Sequence, residues 1–170
     1  MSGVDGASGG GGEAVDGGVV TVADGGTDGG TDGAVQPVSA DREPAGGIDE
    51  LLKRVRAGYE RVEPQEAYSA ASAGAALLVD IRYAALRERD GLIPGALVVE
   101  RNELEWRLDP RGSHRLPEAT SHDLQVVVIC NEGYASSLAA ESLHRLGLHR
   151  ATDLVGGFQA WRSAGLPVVV

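Results

Sequence analysis

The chain has 170 residues and a formal net charge of −10, and that charge is unevenly spread: residues 1–47 hold eight acids, one base and 15 of the 25 glycines. The other 17 acids and 14 bases leave residues 48–170 only mildly acidic, which excludes a nucleic-acid partner bound through phosphate neutralisation. A single cysteine, Cys130, excludes an internal disulfide, and no run approaches the roughly 20 apolar residues that cross a bilayer.

Residues 1–47 contain no Phe, Tyr, Trp, Leu or Ile and are built from runs such as GASGGGG and DGGTDGGTDG. Such a stretch buries too little apolar area to offset the entropy of ordering its glycines, so a disordered acidic tail is expected. Its one apolar run, Val19–Ala23, is short and has no basic segment before it, so no signal peptide is expected. A free thiol and no membrane segment together point to a cytoplasmic protein.

Order is expected from Ile48. Ile48, Leu51, Leu52, Val55 and Tyr59 follow helical spacing, so residues 48–60 read as an amphipathic helix. Arg61–Glu63 reads as a short strand, and Pro64 opens a helix that Gly74 ends. Ala76–Asp80 is an apolar run of strand length. Tyr83–Arg89 is a helical piece, followed by a turn at Asp90-Gly91. Leu97–Val99 is a third strand, and Glu103–Leu108 forms one or two helical turns before a polar loop at 111–121. Gln125–Cys130 is the strongest strand, since a continuous β-branched run marks a central parallel strand covered on both faces. A helix at Ser136–Leu146, a strand at Thr152–Val155 and a helix at Phe158–Ala164 complete the chain. Strands alternate with helices, so the fold is expected to be α/β, with a central, mainly parallel, five-stranded sheet flanked by helices over residues 48–170.

Ligands of open α/β sheets sit outside the carboxyl ends of the strands. Cys130 closes the central strand, and the loop Asn131-Glu132-Gly133-Tyr134-Ala135 leads into a helix at Ser136. A tight loop of this kind turns backbone N–H groups inward, which favours thiolate over thiol. Gly133 suits a position of positive φ or close backbone approach. The competing reading of Cys130 is a small buried hydrophobe.

Three motifs then carry a resemblance. LLVDIR (Leu77–Arg82) with GLIPGA (Gly91–Ala96), CNEGYAS (Cys130–Ser136) and LVGGFQAWRSAGLPV (Leu154–Val168) together resemble the rhodanese-like domain family, in its order and spacing. The resemblance implies sulfurtransfer. Cys130 would take a sulfane sulfur from a thiosulfate- or persulfide-type donor, hold it as a persulfide among the N–H groups of Asn131, Glu132, Gly133, Tyr134, Ala135 and Ser136, and pass it to a thiol, cyanide-like or protein acceptor. No cofactor and no metal are implied, and the four histidines show no metal-ligand spacing.

The chain departs from the family at two loop positions that often hold Arg and here hold Asn131 and Ala135, while Glu132 adds a negative charge. A carboxylate facing the pocket would repel dianionic thiosulfate and favour a persulfide donor; one facing solvent would do nothing. Arg101 or Arg107, after another strand end, would supply the missing positive charge, or else would lie on a solvated helix face. Arg82 is a further pocket candidate, with an ion pair to Asp80 as the structural alternative. Tyr134 either walls the pocket or lies exposed, and Ser136 and Ser137 are expected to cap the following helix. A sulfur carrier or non-catalytic module that docks on a partner is the competing function. A phosphatase is disfavoured because Ser136 and Ser137 stand where a phosphate-clamping Arg would be needed.

Overall fold

The computed structural model describes residues 46–170, so the expected tail at 1–47 lies outside the described residues apart from Gly46 and Gly47, which are exposed. Helix α1 (Ile48–Arg56) buries Leu52 and Val55 and ends earlier than its pattern suggested, at the Ala57-Gly58 turn. Helix α2 (Pro64–Ser72) starts where expected. Pro64 fills the first turn, and a reciprocal capping box between Glu63 and Glu66 satisfies the free amides. Then follow β1 (Leu77–Asp80), α3 (Ala84–Asp90), β2 (Leu97–Val98), a 3-10 turn at Arg101–Glu103, α4 (Leu104–Leu108), β3 (Val126–Ile129), α5 (Ala135–Arg145), β4 (Ala151–Asp153) and α6 (Gly157–Ser163).

The sheet is parallel throughout and has four strands in the order β2-β1-β3-β4. The expected fifth strand at Arg61–Glu63 shrinks to a single parallel bridge, Val62 with Leu154. Val62 exchanges two backbone hydrogen bonds with the β4 segment, from its N–H to Asp153 and to its carbonyl from Val155. The ladder stops there because Glu63 is already the N-cap of α2 and Pro64 has no N–H to give.

Strand β3 is wholly buried, and its side chains alternate between two cores. Val126, Val128 and Cys130 join Leu104 and Leu108 of α4 and Ala139 and Leu143 of α5 on one face. Val127 and Ile129 join Ala67 of α2 and Phe158 and Trp161 of α6 on the other. Each fully buried aliphatic side chain here contributes about 1.5–3 kcal/mol, which is why the uninterrupted VVVI run specifies the centre of the sheet.

The strand order also places the site. From β1 the chain crosses to β2 on one side; from β3 it crosses to β4 on the other. The chain direction therefore switches between β1 and β3, and the crevice outside their carboxyl ends is where such a sheet leaves room for a ligand.

Candidate active site

The crevice is a cavity of about 350 Å³ lined by Ile81, Arg82, Tyr83 and Leu86 after β1, by Arg101, and by Cys130, Asn131, Glu132, Tyr134 and Ala135 after β3. Cys130 sits at its floor, 8% exposed, so the sulfur is reachable from the cavity yet shielded from bulk water.

The loop after Cys130 is shaped by what holds its carbonyls. The Cys130 carbonyl accepts from the Phe158 N–H at 2.9 Å and the Asn131 carbonyl from the Gln159 N–H at 3.1 Å, so the start of α6 ties down both. The Gly133 carbonyl accepts from Arg56 Nη2 at 2.8 Å and Arg61 Nη2 at 2.9 Å. In a trans peptide the following N–H points opposite to the carbonyl. The amides of Asn131, Glu132 and Tyr134 are thereby turned away from these partners. The Gly133 N–H itself donates to Cys130 Sγ at 3.1 Å.

Two glycines make this loop sterically feasible. Gly133 has φ +78°, and a Cβ there would lie 2.8 Å from the Gly156 nitrogen. Gly157, φ +59°, packs its Cα against the loop's back, where a Cβ would lie 2.4 Å from the Cys130 carbonyl oxygen and 2.7 Å from the Gly133 nitrogen. The Gly-Gly turn is thus a contact surface for the cysteine loop as well as a helix start.

Beneath the sulfur lies a buried polar network. The Cys130 thiol donates to Ser136 Oγ at 3.2 Å, and the Ser136 hydroxyl donates to Asp153 Oδ2 at 2.9 Å. Asp153, fully buried at the end of β4, also accepts from the Ser137 hydroxyl at 3.0 Å, the Tyr59 hydroxyl at 2.8 Å and both Nε and Nη2 of Arg61 at 2.9 Å. Burial, then the charge and hydrogen bond of Asp153, push the Tyr59 phenol well up, so it remains a donor. Burial opposes the charge on Arg61, but the hydrogen bond and charge of Asp153 outweigh it and hold the guanidinium ionised; Cys130 adds in the same direction. The α5 serines therefore do not cap their helix as expected: their hydroxyls serve Asp153, and no side chain caps α5.

The remaining candidates separate cleanly. Glu132 and Tyr134 are exposed and line the cavity; Tyr134 lies under the Arg56 guanidinium, 5.6 Å from its ring centroid. Asn131 accepts from Gln159 Nε2 at 3.0 Å through its side chain and contacts Glu132 at 3.4 Å. Arg82 lines the cavity, pairs with Asp80 at 2.7 Å, donates to the Gly91 carbonyl at 2.8 Å and stacks 3.5 Å over the Phe158 ring, which leaves only its buried Nη1 without a partner. Arg101 reaches the cavity and pairs with Glu105 at 2.9 Å. Arg107 does not join the site. It donates to the His114 carbonyl and lines a different cavity with Asn102, Glu103, Trp106 and His114. Sequence reasoning missed Arg56, Tyr59, Arg61 and Asp153. The one signal available was an aspartate, Asp153, inside the strand expected at Thr152–Val155, since a carboxylate buried in a strand needs partners.

The chain belongs to the rhodanese-like domain family, which matches residues 63–164. A sulfurtransferase from Allochromatium vinosum is 38% identical over 93 residues, covering 55% of this chain and 78% of that protein. Among solved structures, a Rhodopseudomonas palustris protein of unknown function, described as a possible tyrosine phosphatase, superposes with TM-score 0.66 at 32% identity, covering 77% of this chain and all of the other. A human single-domain sulfurtransferase superposes with TM-score 0.51 at 25% identity, covering 62% of this chain and 96% of the other. Among the described residues, no helix is long and apolar enough to cross a membrane.

Proposed function

We propose that the chain is a sulfurtransferase that carries sulfane sulfur on Cys130. The observation that supports this most is the loop itself: one sulfur at the floor of a cavity, with an N–H donor on it at 3.1 Å and the loop's carbonyls tied behind. The Gly133 N–H favours negative charge on the sulfur, while Ser136 Oγ is the acceptor for the thiol proton before transfer. The Cys130 thiolate attacks the outer sulfur of a donor R–S–S⁻; the new bond is Sγ–S, and the bond broken releases R–S⁻. An acceptor nucleophile then attacks the terminal sulfur, the Sγ–S bond breaks and the Cys130 thiolate returns. Two half-reactions on one sulfur give ping-pong kinetics.

A persulfide of a small thiol is the favoured donor. The charged side chains lining the cavity are Glu132, Arg101 and Arg82, and both arginines already have carboxylate partners. A dianion such as thiosulfate meets the Glu132 carboxylate there, and the two guanidinium groups are already charge-paired, with only Arg82 Nη1 left without a partner. The acceptor is a thiol, a cyanide-like nucleophile or a protein cysteine.

The phosphatase description of the Rhodopseudomonas structure is the second reading considered. Phosphoryl transfer through a cysteine loop needs a guanidinium that clamps the phosphate bidentately. Here Ser136 and Ser137 end the loop and point to Asp153, and both neighbouring loop positions, Tyr134 and Ala135, lack a cation.

The test is steady-state sulfurtransfer with thiosulfate and with glutathione persulfide, for wild type and Cys130→Ser. Wild type is expected to turn over the persulfide with parallel double-reciprocal lines, and the variant to fold but not turn over. Turnover in Cys130→Ser, or hydrolysis of an aryl phosphate in place of sulfurtransfer, contradicts the proposal; no turnover with any donor supports the docking-module alternative.

A further inference from the structure

The cysteine loop lacks the arginines common in its family, yet two guanidinium groups meet at its back. Arg56, the last residue of α1, gives Nη2 to the Gly133 carbonyl at 2.8 Å and Nε to the Ser137 hydroxyl at 3.0 Å, with its plane over Tyr134. Arg61, in the connection from α1 to α2, gives Nη2 to the same carbonyl at 2.9 Å while paired with Asp153. Both residues precede residue 63, where the family match begins.

A backbone carbonyl accepting from two guanidinium groups is strongly polarised. Polarisation passes along the peptide, so the Tyr134 N–H on its other end becomes a better donor, and the geometry holds that N–H on the side away from the arginines. The N–H that donates to Sγ is Gly133's own, in the preceding peptide, so for that donor the arginines act by fixing the residue that carries it. The charge of Asp153 offsets Arg61, because those two groups are directly paired. Arg56 is held by a carbonyl, a hydroxyl and a ring face, so its charge reaches the loop with less compensation.

We propose that Arg56, with Arg61 bracing the same carbonyl, is a positioning residue that gives the Cys130 loop its affinity for anionic sulfur, so that α1 completes the site from outside the family's conserved span. The chemistry it serves is the binding of a singly charged persulfide at the cavity floor, and in that respect the inference rests on the sulfurtransfer reading. Its geometric content, a loop made anion-selective from behind, does not.

The experiment compares alkylation of Cys130 by iodoacetate and by neutral iodoacetamide in the full chain. The ratio of the two rates cancels the thiolate fraction and reads the attraction of the loop for an anion, whether or not sulfurtransfer occurs. Arg56→Met is expected to lower the ratio about fivefold, a size in keeping with one partly shielded charge a few ångströms away. Arg56→Lys is expected to recover part of the ratio. Arg145→Met removes an equal charge from a side chain that is 78% exposed on α5, and is expected to leave the ratio unchanged. Should Arg56→Met fail to give a wild-type circular dichroism spectrum, Arg56→Gln, which keeps an N–H for the Gly133 carbonyl, takes its place with the same expected fall. An unchanged ratio in a folded Arg56 variant, or an equal fall in Arg145→Met, overturns the inference. Sulfur loading from glutathione persulfide is followed in parallel. If wild type takes up no sulfur, the sulfurtransfer reading fails while the alkylation ratio still decides the role of Arg56.

Discussion

Two buried aspartates close strands on either side of β3, and each is paired with an arginine, yet they do different work. Asp80 ends β1 and binds Arg82, two residues on, with Nε and Nη2 forked onto its carboxylate. The pair is local, and its outward reach is to the Gly91 carbonyl of the turn before β2. Asp153 ends β4 and gathers donors from far along the chain: Tyr59 and Arg61 before α2, and Ser136 and Ser137 on α5. The first aspartate fastens one loop to one strand. The second fastens α5, the α1–α2 connection and the cysteine loop together, two hydrogen bonds away from the thiol through Ser136. The same pair of residue types is a local scaffold in one place and a junction under the cysteine loop in the other.

Breaking either pair is the largest expected effect. Asp80→Ala or Asp153→Ala leaves a buried or nearly buried guanidinium without its carboxylate and is expected to cost about 3–5 kcal/mol, read from urea unfolding. The two differ in repair. Adding Arg82→Met to Asp80→Ala removes the stranded charge and is expected to recover roughly half of the loss. Adding Arg61→Met to Asp153→Ala is expected to recover much less, because the Tyr59, Ser136 and Ser137 hydroxyls still lack their acceptor. Equal recovery in the two pairs would contradict the distinction.

A smaller effect is expected where the Gly-Gly turn meets the loop. Gly157→Ala places a Cβ 2.4 Å from the Cys130 carbonyl at a positive φ. The loop must shift, at a cost of about 1–3 kcal/mol in urea unfolding, with slower sulfur loading of Cys130. Wild-type loading in that variant would show that the turn does not shape the loop.

The smallest effect on stability is expected at Glu132, which is exposed at the cavity mouth. Glu132→Arg is expected to change stability by no more than about 0.5 kcal/mol while raising kcat/KM for thiosulfate several-fold. An unchanged kcat/KM would mean that the carboxylate does not bear on the donor.

Much of this was legible in the sequence, for reasons that the same comparison explains. Strand β3 announced itself because both its faces are buried, so every residue had to be apolar. The Asp80–Arg82 pair was readable because its partners are two residues apart. The cysteine loop was readable from Cys130, Gly133 and the helix that follows. The Asp153 junction was not, because its partners stand 92 and 16 residues away in sequence and no local pattern links them. The same holds for Arg56: the spacing of Ile48, Leu51, Leu52, Val55 and Tyr59 predicts a helix there but not which carbonyl the Arg56 side chain reaches. Arg107 was drawn into the candidate site by its place after a strand end, yet the turn of α4 aims it at His114. The fifth strand was overcounted because three residues of β character were read without the N-cap that ends them at Glu63.

The central claim is that Cys130 carries sulfur, and intact mass spectrometry tests it most directly. The protein is incubated with glutathione persulfide, measured, digested and mapped. The account predicts a gain of one sulfur, about 32 Da, on the Cys130 peptide, lost again on adding cyanide or excess thiol. A protein whose mass is unchanged, or whose added sulfur maps elsewhere than Cys130, would contradict it.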